Sequence, residues 1–200
     1  MNSTNDNDKI SALLAGIPQS ANALGQSAAP VTLAYFADLQ CPYCRDFSLE
    51  VLPSIIERWV DAGKLRIEYH ALQTATHEPE VFMVQQVAAL AAGRQERAWH
   101  FIETFYAEQG EEGSGYVTDA YLQGIAGQVT SLDLAGWASD RRDPELANEI
   151  AGDARAAENA GLTGTPSFLI GASGGTMSGF SPSDPTAFDK AIEGILQETA

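Results

Sequence analysis

Basic side chains are scarce in this chain: 11 Lys and Arg stand against 27 Asp and Glu, a formal charge of −16 over 200 residues. That excess argues against nucleic acid and anionic membrane surfaces as partners. Cysteine is scarcer still. Two residues, Cys41 and Cys44, cannot build a framework of structural disulfides. No apolar run reaches the roughly 18 residues of a membrane span. Met1 to Lys9 lack the basic start and apolar middle of a secretory signal. The expectation is a cytoplasmic protein, or a mature form whose targeting segment has been removed. The three histidines, His70, His77 and His100, show no zinc-finger spacing. With no second cysteine pair, a metal site is not expected. There is no internal repeat and no low-complexity tract. The apolar fraction, 44%, is enough for a packed core.

What is present is concentrated in Cys41-Pro42-Tyr43-Cys44. The apolar run Val31 to Ala37 leads in and reads as a buried strand. Phe47, Val51, Ile55 and Trp59 lead out at helical spacing, with Pro53 predicting a kink and Ala62-Gly63 an end. A thiol where a strand hands over to a helix faces unpaired N–H groups and the positive end of the helix dipole, which favour the thiolate. Cys41 is therefore the expected attacking sulfur. Cys44, one turn on and more buried, is the resolving one. Pro42 suits the first helical position and stiffens the loop. Tyr43 brings no positive charge, so it should lower the Cys41 pKa less than a histidine there.

Leu65, Ile67 and Tyr69 alternate with polar residues and give a second strand, completing a βαβ unit. Helices are expected over 80–92, 95–109, 118–128, 132–140 and 144–160, with Asp143 as an N-cap before Pro144. Strand signals return at Ser167 to Ile170. A hairpin loop is expected at Gly171 to Gly175, a partner strand at Thr176 to Gly179, and a last helix opened by Asp184-Pro185. The predicted fold is α/β and thioredoxin-like, βαβ followed by ββα, with an inserted all-helical subdomain. The division is an N-terminal arm at 1–28, a thioredoxin-like domain from 29–76 and 161–200, and the insertion at 77–160. Within the arm, a short helix at Ile10 to Ala15 and an edge strand at Ile17 to Gln19 are expected.

Thr163-Gly164-Thr165-Pro166 directly precedes the returning strand. Cis bonds make up about 5–6% of X–Pro linkages, so these residues alone favour trans. Several polar groups are read blandly. Asp38 should cap a turn or accept backbone N–H bonds rather than relay a proton to Cys44. His77 should be a cap or hinge group, and His100 a packed helix residue. Trp99, Phe101, Phe105 and Tyr106 should be core. Glu108 to Glu112 reads as a solvated acidic loop, and Glu57-Arg58 and Arg141-Arg142 as surface charges.

Two stretches together, Phe36-Ala37-Asp38-Leu39-Gln40-Cys41-Pro42-Tyr43-Cys44-Arg45 and Gly161-Leu162-Thr163-Gly164-Thr165-Pro166-Ser167-Phe168, resemble the DsbA-like thiol–disulfide oxidoreductases of the thioredoxin superfamily. The resemblance spans about residues 24–198. It puts the family's nucleophile on Cys41, its resolving cysteine on Cys44, and its cis-proline on Pro166, with Thr165 before it as the substrate-facing residue. It implies a cis Thr165–Pro166 bond and a helical insertion between the sheet halves. It also implies an extracytoplasmic site of action. The best-known oxidases of the family carry histidine where this chain has Tyr43, and Pro-Tyr looks more like glutaredoxins. The direction of electron flow is therefore open.

The expected activity is disulfide exchange with protein thiols and disulfides, with an unidentified redox partner and a monomeric chain. No cofactor is needed, because the sulfurs carry the electrons. The rivals are a glutathione-dependent reductase of glutaredoxin type, a non-catalytic binding or chaperone protein with a structural disulfide, and a zinc-binding module.

Overall fold

The computed structural model describes residues 3–182 and 184–199. Its frame is a mixed sheet in the order β1-β2-β4-β3-β5-β6. The strands are β1 (Gln19–Ser20), β2 (Ala23–Leu24), β3 (Val31–Ala37), β4 (Leu65–Ala71), β5 (Ser167–Ala172) and β6 (Ser178–Phe180). β3 and β4 pair in parallel from Val31↔Leu65 to Ala37↔Ala71, and the other neighbours are antiparallel. β3 is buried along its whole length, as its unbroken apolar sequence requires. β4 alternates buried and half-buried residues.

The helices are α1 (Ser3–Leu13), α2 (Pro42–Asp46), α3 (Leu52–Ile55), α4 (Pro79–Gly93), α5 (Ala98–Ala107), α6 (Asp119–Gln128), α7 (Leu134–Asp140), α8 (Pro144–Asn159) and α9 (Thr186–Glu198). α4 to α8 form the helical stretch expected between the sheet halves. Thr118, Asp133 and Asp143 cap α6, α7 and α8 with side-chain oxygens. One sheet face carries the main core, where Trp99, Phe101, Phe105 and Tyr106 are wholly buried. Burial of Phe101 and Phe105 contributes roughly 1.5–3 kcal/mol each. α8 returns to cover the other face, packing Ala157 against Ala34 and Phe36.

The lead-in expected as an arm is part of the fold. Ala23 and Leu24 are fully buried, and β2 extends the sheet along β4 through Ala23↔Glu68 and Leu24↔Ile67. Strands this short carry no periodicity of their own. Ile17 and Pro18 precede the edge strand, which begins at Gln19. The kink expected at Pro53 takes the form of wide turns. Pro53 has no N–H for the Leu49 carbonyl, and the chain widens into π-helical turns at Phe47–Val51 and Ile56–Val60. Leu52 N–H accordingly reaches back to Phe47 O. The last hairpin is shifted from expectation, with its strands running to Ala172 and from Ser178.

Arg141 is not a free surface charge. Its side chain is 18% exposed, pairs with Asp119 at 2.7 Å and lies over the Trp137 ring at 4.7 Å. Arg58 is exposed and pairs with Asp189.

Candidate active site

Cys41 is the N-cap of α2, with extended backbone at φ −71° and ψ 120°, and Pro42 follows at the first helical turn. The Cys41 carbonyl accepts the N–H of Arg45 at 3.1 Å. Its sulfur is therefore held beside the unpaired N–H groups of Tyr43 and Cys44. Both cysteines are free thiols; Cys41 is 4% exposed and Cys44 fully buried. Tyr43 projects into solvent at 72% exposure, beside exposed Pro42.

One proton is divided unequally between the two sulfurs. The Cys44 thiol donates to Cys41, and the Thr165 hydroxyl and the Cys44 and Tyr43 amides add to it. Against the opposing effect of burial they bring the Cys41 pKa down to about 6. Burial drives the Cys44 thiol far up, and the neighbouring Cys41 charge reinforces this. When protonated, Cys41 Sγ donates to the Thr165 carbonyl at 3.4 Å. That bond favours the thiol and is outweighed by the donors.

Thr165 and Pro166 are half-buried and joined by a cis peptide bond. The fold brings them to Cys41 across 124 residues of chain. A cavity of about 320 Å³ lies beside Pro166, lined by Leu162, Phe168 and Phe180.

The strand–helix junction is braced from several directions. The buried Asp38 carboxylate accepts the consecutive N–H groups of Thr74, Ala75 and Thr76 at 2.8–3.0 Å, together with the Thr76 hydroxyl and the Gln40 N–H. It is a structural acceptor, as the sequence suggests. From α5, Tyr106 donates its hydroxyl to Asp38 O at 3.3 Å and accepts Arg45 Nε on its carbonyl at 3.2 Å. Gln109 Nε2 donates to the Leu39 and Cys41 carbonyls at 2.7 and 3.2 Å.

Tyr106 was legible only as core. Gln109 and Thr74 carry no local signal, because each reaches the site through tertiary contact alone. His77 is exposed, caps nothing and lies 3.8 Å from Glu112. His100 is half-buried against Gln19 Nε2 at 2.9 Å.

Comparison with known proteins agrees with the fold. The thioredoxin family model matches residues 19–193. The chain is 24% identical over 148 residues to a probable disulfide bond formation protein D of Bacillus anthracis, covering 74% of this chain and 68% of that one. Its fold is similar to oxidised BdbD from Bacillus subtilis, with a TM-score of 0.76 at 19% identity, covering 90% and 96% of the two chains. It is also similar to alpha-DsbA1 of Wolbachia pipientis, with a TM-score of 0.72 at 20% identity over 92% and 93%. By the family match, the fold and the dithiol at the start of α2, the chain belongs to the thioredoxin family.

Proposed function

We infer that this chain is a thiol–disulfide oxidoreductase acting on proteins, with Cys41 as the sulfur that forms the mixed disulfide and Cys44 as its partner in the internal disulfide. The observation that carries the reading is the dithiol at the start of α2, with Cys41 as the N-cap and its sulfur 3.4 Å from the Thr165 carbonyl beside the cis-proline; the Cys41 pKa is lowered and that of Cys44 raised there. We take the net direction as oxidation of substrate thiols. A substrate thiolate attacks Sγ of Cys41 in the Cys41–Cys44 disulfide. The S–S bond breaks, and Cys44 leaves with the electron pair and takes up a proton. A second substrate thiolate then attacks the substrate sulfur of the mixed disulfide, and Cys41 leaves as a thiolate. The substrate departs with a disulfide, and the chain holds Cys41 as a thiolate and Cys44 as a thiol. A redox partner that accepts two electrons regenerates the disulfide. A low pKa makes Cys41 a good leaving group and stabilises the reduced chain.

Its value of about 6 lies between those of thioredoxin, about 7, and DsbA, about 3.5. The potential expected is therefore between about −270 and about −120 mV. Tyr43, with no charge to lend, fits the intermediate position. Exposed Tyr43 and the cavity beside Pro166 support an extended peptide lying along Thr165 and Pro166. We further propose that the chain works as a monomer outside the cytoplasm. On this reading residues 29–76 with 161–200 act as the thioredoxin-like unit and 77–160 as its helical insertion. Among the described residues no helix is long and apolar enough to cross a membrane.

The test is trapping on a reduced, unfolded protein in a buffer of reduced and oxidised glutathione, with oxidised glutathione as the electron acceptor. Cys44→Ser is expected to accumulate a mixed disulfide through Cys41, and Cys41→Ser to lose both trapping and turnover. No trapping by Cys44→Ser, with Cys41→Ser as active as the unaltered chain, would leave a binding protein whose disulfide is only structural. Turnover on glutathionylated peptide alone would favour the glutaredoxin-type reductase.

A further inference from the structure

The loop after β4 brings a hydroxyl to the site that the disulfide chemistry does not use directly. Thr74 Oγ1 and Thr165 Oγ1 form a short hydrogen bond across 91 residues of chain. Thr165 itself stands at the reactive sulfur: its carbonyl is 3.4 Å from Cys41 Sγ, and its hydroxyl helps to lower the Cys41 pKa. The Thr74 backbone is fixed beside Thr165, because its N–H is held at 3.0 Å by the buried Asp38 carboxylate, which also accepts the next two N–H groups.

A hydroxyl has one hydrogen to give. If Thr165 spends it on Thr74, none faces the sulfur. If Thr74 donates into Thr165 Oγ1, the Thr165 hydrogen is free to point at Cys41. Negative charge on Cys41 selects the second arrangement, and donors in series polarise one another. In the disulfide state there is no anion to serve and the preference is lost.

We propose that Thr74 is a positioning residue for disulfide exchange, orienting the Thr165 hydroxyl toward the Cys41 thiolate and so stabilising the reduced chain. This rests on Cys41 being the sulfur that exchanges with substrate, and it adds a group that lies outside both conspicuous motifs. Thr74 touches neither sulfur. Its effect passes through Thr165, and the Asp38 cage fixes where it stands.

The test is a thiolate titration of Cys41 by absorbance at 240 nm on the full chain, alongside its equilibrium with glutathione. Thr74→Val is expected to weaken Cys41 ionisation three- to tenfold and to make the couple about 15–30 mV more reducing, at 29.6 mV per tenfold. Thr74→Ser, which keeps the hydroxyl, is expected to titrate as wild type. On a Thr165→Val background, Thr74→Val is expected to add nothing, because its route to the sulfur is gone. Should valine disturb the loop, Thr74→Ala carries the same comparison. A folded Thr74→Val or Thr74→Ala chain with wild-type midpoint and potential would overturn the proposal. So would a serine variant shifted as far as valine, or a full Thr74 effect persisting without the Thr165 hydroxyl. The titration reads Thr74 whether or not the chain turns over protein substrates, so loss of the proposed activity and loss of this inference are separable.

Discussion

Asp38 has no exposed surface, yet the sulfur chemistry depends on where it stands. A buried carboxylate without partners costs several kcal/mol. Here three consecutive amides, a hydroxyl and two side-chain or backbone donors surround it. Asp38→Asn turns one acceptor oxygen into a donor facing other donors. The expected loss is about 2–3 kcal/mol of unfolding free energy, read from the denaturant midpoint, together with an upward shift of Cys41 ionisation as Thr74 is released. An unchanged midpoint would mean that the 72–76 loop is held by something else. The role of Asp38 as a turn acceptor was legible from its place beside the cysteines. The identity of the donors was not, because they lie 36 to 38 residues away. Thr74 and Gln109 were invisible for the same reason: a polar residue in a loop gives no sign of which distant carbonyl or hydroxyl it will meet.

At the scale of elements, backbone sterics decide which glycines matter. Gly25 leaves β2 at φ +106°, and a Cβ there would stand 2.7 Å from the Leu65 carbonyl at the start of β4. Gly25→Ala is therefore expected to cost about 2–3 kcal/mol, measured by chemical denaturation. Gly124 lies exposed inside α6 with open space around it. Gly124→Ala should stabilise by about 0.5–1 kcal/mol. Reversal of this order would contradict the view that residues 19–25 are an integral edge of the sheet. Long elements were readable because periodicity is local: β3 by its unbroken apolar run, β4 by alternation, α8 by its cap and proline. The β1–β2 hairpin was not, since two-residue strands exist only because β4 offers an unpaired edge. The π-helical turns were foreseen only as a disturbance at Pro53, because sequence marks a missing donor but not how the backbone absorbs it.

For the whole molecule, buried titrating groups shape the dependence of stability on pH. Burial disfavours a charged His70, but Asp153 at 2.7 Å and Glu68 outweigh it and hold its pKa up to about 9. A raised pKa contributes stability that is complete below the unfolded value, about 6.5, and is lost as pH climbs through 9. Burial likewise pushes Glu103 up to about 8, against its hydrogen bond from Ser48. Its contribution is present below the unfolded value of about 4.3 and fades as pH rises through 8. His100 works in the other direction: burial and then Arg97 bring it down to about 4, so stability is lost as pH falls below about 6.5. The disulfide form, in which neither thiol titrates, is expected to be more stable at pH 6 than at pH 9. His70→Gln should flatten the fall between pH 6.5 and 9, and Glu103→Gln the fall between pH 4.5 and 8, in thermal melts. A profile rising from pH 6 to 9 would be inconsistent with both assignments.

Alkylation of the reduced chain by iodoacetamide, followed across pH with mass-spectrometric assignment of the modified sulfur, tests the central claim most directly. The account predicts that Cys41 reacts with a midpoint near pH 6 while Cys44 stays unmodified through neutral pH. Reaction of both thiols with the midpoint of free cysteine, about 8.5, would contradict it.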